Sequence, residues 1–249
     1  VTPERVVHDE HIWGTVVTID IRLFRESASK VDSAVKQVVD WLKSVDRTFS
    51  TYRDDSTVSQ FRNGEITRSE VGAQVEEVIH LCEQMRDLTG GLFNPWGVTG
   101  GFDPSGLVKG WATDRAVEIL QESGLNDFMV NSGGDLAVRG LAKTDEPWVI
   151  GITHPDRPVQ IFDSVEVVDG AVATSGLYER GAHIHVPDGH TMKARSATVV
   201  GPDCATADAL ATALLIAGRQ GSEWFHDLPQ WSGIVVEGND TVAWGPAFS

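Results

Sequence analysis

The chain has 249 residues, with 36 acidic, 20 basic and 8 histidine side chains and a formal net charge of −16 at pH 7. Hydrophobic residues at 41% and charged residues at 22% are ordinary globular values, which excludes a disordered chain and allows a sizeable core without disulfides. The acidic surplus repels phosphate backbones and argues against a nucleic-acid binder.

The opening VTPERVVHDEHIWGT lacks the basic region and apolar stretch of a signal peptide. Later apolar runs are too short and interrupted to span a bilayer, so a cytoplasmic protein without a membrane span is expected. Trp13 to Phe24 alternates apolar and polar residues and reads as a strand. Val31 to Val45 repeats apolar residues at helical spacing, with Ser29 as its cap. Val71 to Leu88 predicts a second helix ended by Gly90-Gly91, and Leu107 to Gln121 a third closed by Gly124. Short strands are predicted at Phe128–Asn131, Leu136–Arg139, Trp148–Ile152, Ile161–Val168 and Ala194–Val200. Cys204 to Ala217 predicts a fourth helix, with Asp203 as N-cap and Gly218 as stop. Trp231 to Trp244 reads as a hairpin turning over Gly238-Asn239-Asp240. This order predicts an α+β fold in one compact unit. Cys82 and Cys204 both fall in helices and read as small buried groups rather than as a bridge.

Three segments break these patterns. The fourth helix is small or aliphatic nearly throughout, and Asp208 is its single charge. Thr212 lies one turn on, so the pair offers two hard oxygens to a Mg²⁺-like ion; the alternative is a buried carboxylate held by backbone amides. Gly100 to Gly110, GGFDPSGLVKG, enters the third helix with Lys109 in its first turn. A lysine there opposes the helix dipole and suits an anionic ligand; the alternative is an irregular turn with a solvated lysine. It is not a Walker loop, because the spacing and the Lys-Ser/Thr ending are absent. His183 and His185 alternate on one strand face and form H-x-H-x4-H with His190, either a transition-metal set or surface histidines. The Gly-rich turn Ser132 to Asp135, SGGD, adds little alone. Trp13, Tyr52 and Trp96 sit at strand ends or in loops, where a planar ligand could stack or where they could simply pack the core.

In order, the chain carries W-G-T-V-V-T, F-S-T-Y-R-D-D-S (Phe49 to Ser56), D-P-S-G-L-V-K-G-W-A-T-D-R-A (Asp103 to Ala116) and V-N-S-G-G-D (Val130 to Asp135). A-V-A-T-S-G-L-Y-E-R (Ala171 to Arg180), H-I-H-V-P and A-D-A-L-A-T (Ala207 to Thr212) follow. Together these segments resemble the ApbE family of FAD:protein FMN transferases nearly end to end. The resemblance implies a single ApbE-like domain over residues 1–249, with mixed sheets flanked by helices. It implies Mg²⁺-dependent transfer of the FMN half of FAD onto a Thr or Ser hydroxyl in the flavinylation motif of an acceptor protein, with release of AMP. It places metal ligands at Gly106 (by its carbonyl), Asp208 and Thr212. It places FAD contacts at Trp13, Tyr52, Asn94, Pro95, Trp96, Asp103, Lys109, Ser175 and Ile184, and the base at His183. The chain departs from the family pattern at three points. Trp13 stands where Met is usual, F-N-P-W-G-V replaces D-x-T-V-G-P-L, and V-P-D-G-H replaces D-P-x-T-G after the histidine. Two other readings remain: a flavin-binding protein without transfer, and a Mg²⁺-dependent FAD pyrophosphatase.

Overall fold

The computed structural model describes residues 3–24, 28–176 and 185–248. It opens on a hairpin of β1 (Glu4–Ile12) and β2 (Thr15–Leu23), paired from Glu4↔Leu23 to Ile12↔Thr15. Trp13 and Gly14 form the turn, at φ 57° and 72°. Two left-handed central residues are what a type I′ turn demands, easy for Gly14 and strained for a bulky indole. The strand expected from Trp13 therefore starts at Thr15. β1 was not foreseen, because it is an edge strand with no fully buried face to create an apolar alternation.

Four helices follow: α1 (Ala28–Phe49), α2 (Thr57–Arg62), α3 (Ala73–Leu88) and α4 (Ser105–Glu122). α1 begins at Ala28, so Ser29, expected as its cap, lies within it. α2 was missed because six residues carry too little periodicity; its signal is Ser56, whose side chain accepts the Ser59 N–H. Then come β3 (Phe128–Ser132), β4 (Asp135–Arg139), β5 (Trp148–His154), β6 (Arg157–Val167), β7 (Gly170–Gly176) and β8 (Ser196–Gly201). The last elements are α5 (Cys204–Ala217), β9 (Ser232–Glu237) and β10 (Asp240–Trp244). β7 runs through Thr174-Ser175-Gly176, a stretch that reads as a polar break in the sequence. Eight strands form one sheet in the order β1-β2-β3-β4-β7-β8-β9-β10, with every neighbouring pair antiparallel; β5 and β6 form a separate hairpin. The α+β expectation is met.

Strand alternation gives the large sheet two different faces. Leu136, Val138, Val172 and Val200 pack against Trp148, Ile152 and Val165 of the β5–β6 hairpin. On the other face Ala137, Ala171, Ala173 and Ala197 meet the helices. These small side chains let α5 lie close to the sheet, and α4 covers it from the other side, so α5 is buried on nearly every face. α4 and α5 run antiparallel in steps of one turn. Gly106 lies beside Thr212, Gly110 beside Asp208 and Ala205, and Asp114 beside Cys204. A Cβ on Gly110 would stand 2.2 Å from the Cys204 carbonyl oxygen, so the close approach of the two helices requires glycine there.

α5 is capped as the sequence predicts. Asp203 accepts the Thr206 N–H at 2.8 Å, and Gly218 closes the helix with φ 59°. A second carboxylate, Asp114, accepts the Cys204 and Ala205 N–H groups at 2.8 and 2.9 Å. Cys82 and Cys204 are free and buried, and burial raises both thiol pKa values. Among the described residues no helix is long and apolar enough to cross a membrane.

Candidate active site

The helix-facing side of the sheet turns polar at one end. β3, β4 and β7 place Ser132, Asp135 and Ser175 there by the same alternation that places Val130, Ala137 and Ala173 in the core. α4 and α5 bring Lys109, Thr113, Asp208 and Thr212 to meet them. Thr113 donates to the Lys109 carbonyl and shares a 2.7 Å hydrogen bond with Ser132, which fixes α4 against β3. The Ser175 and Thr212 hydroxyls lie 3.3 Å apart.

At the centre is a buried charge cluster. Lys109 is 8% exposed, and Asp135 and Asp208 are each 2% exposed. The Lys109 ammonium is in direct contact with Asp135 Oδ2 and 3.7 Å from Asp208 Oδ2. The Gly110 N–H donates to the same Asp208 oxygen at 3.3 Å. Two carboxylates against one ammonium leave one formal negative charge, an arrangement that would be costly if sealed in an apolar core. Here it opens into a cavity of about 1070 Å³, at the upper end of small-molecule sites.

The cavity gathers most of the residues singled out in the sequence. Its floor holds Gly106, Lys109, Ser175, Asp208 and Thr212, and its walls include Trp13, Asn94, Pro95 and Asp103. Tyr52 stands at the rim, 86% exposed and able to cover a planar ligand. Asp103 accepts the Ser105 N–H at 3.0 Å. Arg62 of α2 lies 3.8 Å from Asp103 and donates to the carbonyls of Thr99 and Gly100, so the short helix missed in the sequence anchors the wall.

Trp96 stands apart from this set. It is not among the lining residues; its ring packs 5.3 Å from that of Phe102, with the Arg86 guanidinium 5.1 Å from its centre. Its placement is that of a packing residue behind the wall. His183 and Ile184 lie outside the described residues. His185 does line the cavity, and its ring fills the space that a side chain on Gly97 would need. His190 is exposed and not among the lining residues, so the spacing H-x-H-x4-H does not carry it to the cavity. Among the described residues no group of three or more His, Cys, Asp or Glu side chains is placed to hold a metal ion.

Sequence reasoning undervalued Asp135. Its signal was the two glycines before it. Gly133 and Gly134 take φ 66° and 103°, turning β3 tightly into β4. The turn is locked by the Gly134 N–H donating to Asn131 Oδ1 at 2.9 Å. A Cβ on Gly133 would stand 2.4 Å from Thr15 Oγ1, so this turn lies against the start of β2, next to the Trp13-Gly14 turn. Both hairpin turns thus sit at the mouth of the same cavity.

The donor set suits a hard divalent cation. Asp208 supplies a carboxylate and Thr212 a hydroxyl, and the missing side chain of Gly106 leaves room beside that hydroxyl, since a Cβ there would stand 3.5 Å from it.

The ApbE family model matches residues 13–97 and 97–234. The FAD:protein FMN transferase of Vibrio cholerae is 28% identical, over 87% of this chain and 84% of that protein. The FAD:protein FMN transferase of Klebsiella pneumoniae is 29% identical over 49% of this chain and 38% of its own length. Among solved structures, the flavin transferase ApbE of Vibrio cholerae superposes with a TM-score of 0.84 at 23% identity, covering 99% of this chain and 98% of that one. The ApbE protein of Thermotoga maritima gives 0.81 at 24%, covering 98% of each chain. At such identities the superpositions establish a shared fold. The family match runs through both hairpin turns, α4 and α5, the elements that build the cavity: the chain belongs to the ApbE family.

Proposed function

We propose that this chain is an FAD:protein FMN transferase that works with Mg²⁺ and moves FMN onto a Thr or Ser hydroxyl of an acceptor protein. The observation that carries the reading is the cluster of Lys109, Asp208 and Thr212 at the floor of a cavity large enough for a dinucleotide. The acceptor hydroxyl oxygen attacks the phosphorus on the FMN side of the FAD pyrophosphate. The bond to the AMP phosphate breaks, and AMP leaves with the electron pair. Lys109 binds and orients the pyrophosphate; Tyr52 and Trp13 flank the planar rings. Asp208, Thr212 and the Gly106 carbonyl would hold Mg²⁺, which when bound supplies positive charge against the phosphates and the departing AMP.

The hydroxyl's proton is assigned to His183, on sequence correspondence. A histidine with an ordinary pKa near 6.5 can take it at neutral pH. His185 is the second reading, favoured by one observation: it lines the cavity. Incubation with FAD, Mg²⁺ and a candidate flavin-accepting domain, followed for AMP, FMN and the acceptor's mass, tests the function. Covalent labelling of the acceptor is expected. AMP with free FMN would make the protein an FAD pyrophosphatase, and neither product would make it a flavin-binding protein.

A further inference from the structure

We propose that Asp135 is a positioning residue that holds the Lys109 ammonium away from Asp208, so that Asp208 presents its oxygens to a divalent cation instead of to the lysine. The inference rests on the metal-binding reading of Asp208. Lys109 stands between two carboxylates, and the contact is uneven: direct to Asp135 and 3.7 Å to Asp208. An ammonium and a divalent cation compete for a carboxylate, because each neutralises the same charge. With Asp135 present the ammonium is satisfied from the sheet side. With that charge removed, Asp208 becomes the nearby carboxylate to which a buried ammonium is drawn.

The fold delivers Asp135 rigidly, as the role requires. It is the first residue of β4, fixed by the Gly133-Gly134 turn, by the Asn131 clasp on Gly134 and by the seat of Gly133 on Thr15. Thr113, bonded to Ser132, ties the backbone at Lys109 to the strand that precedes the turn. Lysine and carboxylate are thus set from two elements locked to each other, as expected for a group whose task is to orient another.

Binding of Mn²⁺ alone, without FAD, tests the role, read as loss of the free-ion signal in electron paramagnetic resonance. Wild type is expected to bind Mn²⁺. Asp135→Asn should weaken binding about 10–100-fold, the usual cost of removing a group that orients a metal ligand. Asp135→Glu should retain most of the affinity. The double variant Lys109→Met/Asp135→Asn removes the competing ammonium and should bind Mn²⁺ more tightly than Asp135→Asn alone. It also replaces the buried ion pair with neutral groups, so it reports even if Asp135→Asn fails to fold, as checked by circular dichroism. Unchanged affinity in a folded Asp135→Asn overturns the proposal. A double variant that binds no better than folded Asp135→Asn, or no Mn²⁺ at all where Asp135→Asn does not fold, overturns it as well, because the loss would then not come from the freed lysine. Absence of Mn²⁺ binding by wild type at millimolar concentration removes the metal reading itself and this proposal with it.

Discussion

A buried pair of carboxylates and a half-buried single one lie one helical turn apart along the α4–α5 seam, and they are stabilised in different ways. At the cavity, Asp208 and Asp135 face the Lys109 ammonium, and the group opens toward a ligand. One turn away, Asp114 is held by the backbone N–H groups of Cys204 and Ala205 at the start of α5. Asp114 is not among the residues that line that cavity. Burial raises the Asp114 pKa from the ordinary 3.8 to about 7, with Asp203 adding to the rise and the amides and Arg139 opposing it. A carboxylate with little solvent tends to keep its proton even where amides donate to it; one set beside an ammonium at an opening has a cation to balance its charge. The same two helices thus form a structural cap at one turn and the floor of an open cavity at the next, depending on which side chain is supplied at each turn.

The sharpest way to separate the two is Asp208→Ala. If Asp208 holds the proposed metal, its loss removes charge stabilisation worth several kcal/mol and should slow acceptor labelling by on the order of 10²–10³-fold or more. Stability should hold or rise, because Lys109 keeps Asp135 and alanine favours the helix. An Asp208→Ala protein that unfolds, together with wild-type activity indifferent to Mg²⁺, would make Asp208 structural like Asp114. In the proposed reaction the charge cluster serves the phosphates and a histidine takes the hydroxyl's proton. His183→Ala should slow labelling on the order of 10²–10⁴-fold with little change in FAD affinity, and His185→Ala should slow it less. The reverse ranking in single-turnover kinetics would move the base to His185, the histidine that lines the cavity.

Lys109→Met breaks the cavity end alone. It leaves two buried carboxylates without their shared ammonium and should cost about 3–5 kcal/mol in denaturant unfolding. Its FAD affinity should fall as well, read by flavin fluorescence. The Asp114 end should respond to pH instead. A carboxyl with a raised folded-state pKa contributes stability that is complete below pH 3.8 and is lost as pH rises to about 7. Wild type should therefore lose up to about 4 kcal/mol from this group between those limits, at about 1.36 kcal/mol per pKa unit. In Asp114→Asn that loss should be absent, so melting temperatures of the two proteins should converge or cross as pH is raised from 5 to 8. A constant difference across that range would mean that Asp114 titrates normally. Gly110→Ala acts on both ends, since its Cβ would push against Cys204 and Ala205. Overpacking of about 1–3 kcal/mol is expected, together with weaker Mn²⁺ binding, because the Gly110 N–H also contacts Asp208.

What sequence made legible depended on how local the cause was. α5, with Asp203 before it and Gly218 after it, is a local matter of capping and composition, and the predicted span coincides with the observed one. Asp208 stood out because a lone charge in an alanine-rich helix has a cost that the sequence itself displays. Trp96 illustrates the opposite case: an aromatic residue in a loop reads equally well as ligand stacking or as packing, and only its position behind the wall, against Phe102 and Arg86, distinguishes the two. β1 and α2 were invisible because an edge strand has no buried face and a six-residue helix has barely two turns of periodicity.

By itself the sequence determined the α+β class, the positions of the long helices, the full span of α5, and the residues whose chemistry is out of place in a core: Asp208, Thr212, Lys109 and the glycines around them. Tertiary structure decided which of these meet. Lys109 and Asp208 are far apart in the chain, and their approach exists because Gly110 lets α4 lie close against α5. The sheet then supplies Asp135 from a turn that looks ordinary in isolation. Charge pairing across elements depends on distances in space, which residue order and periodicity encode only through packing.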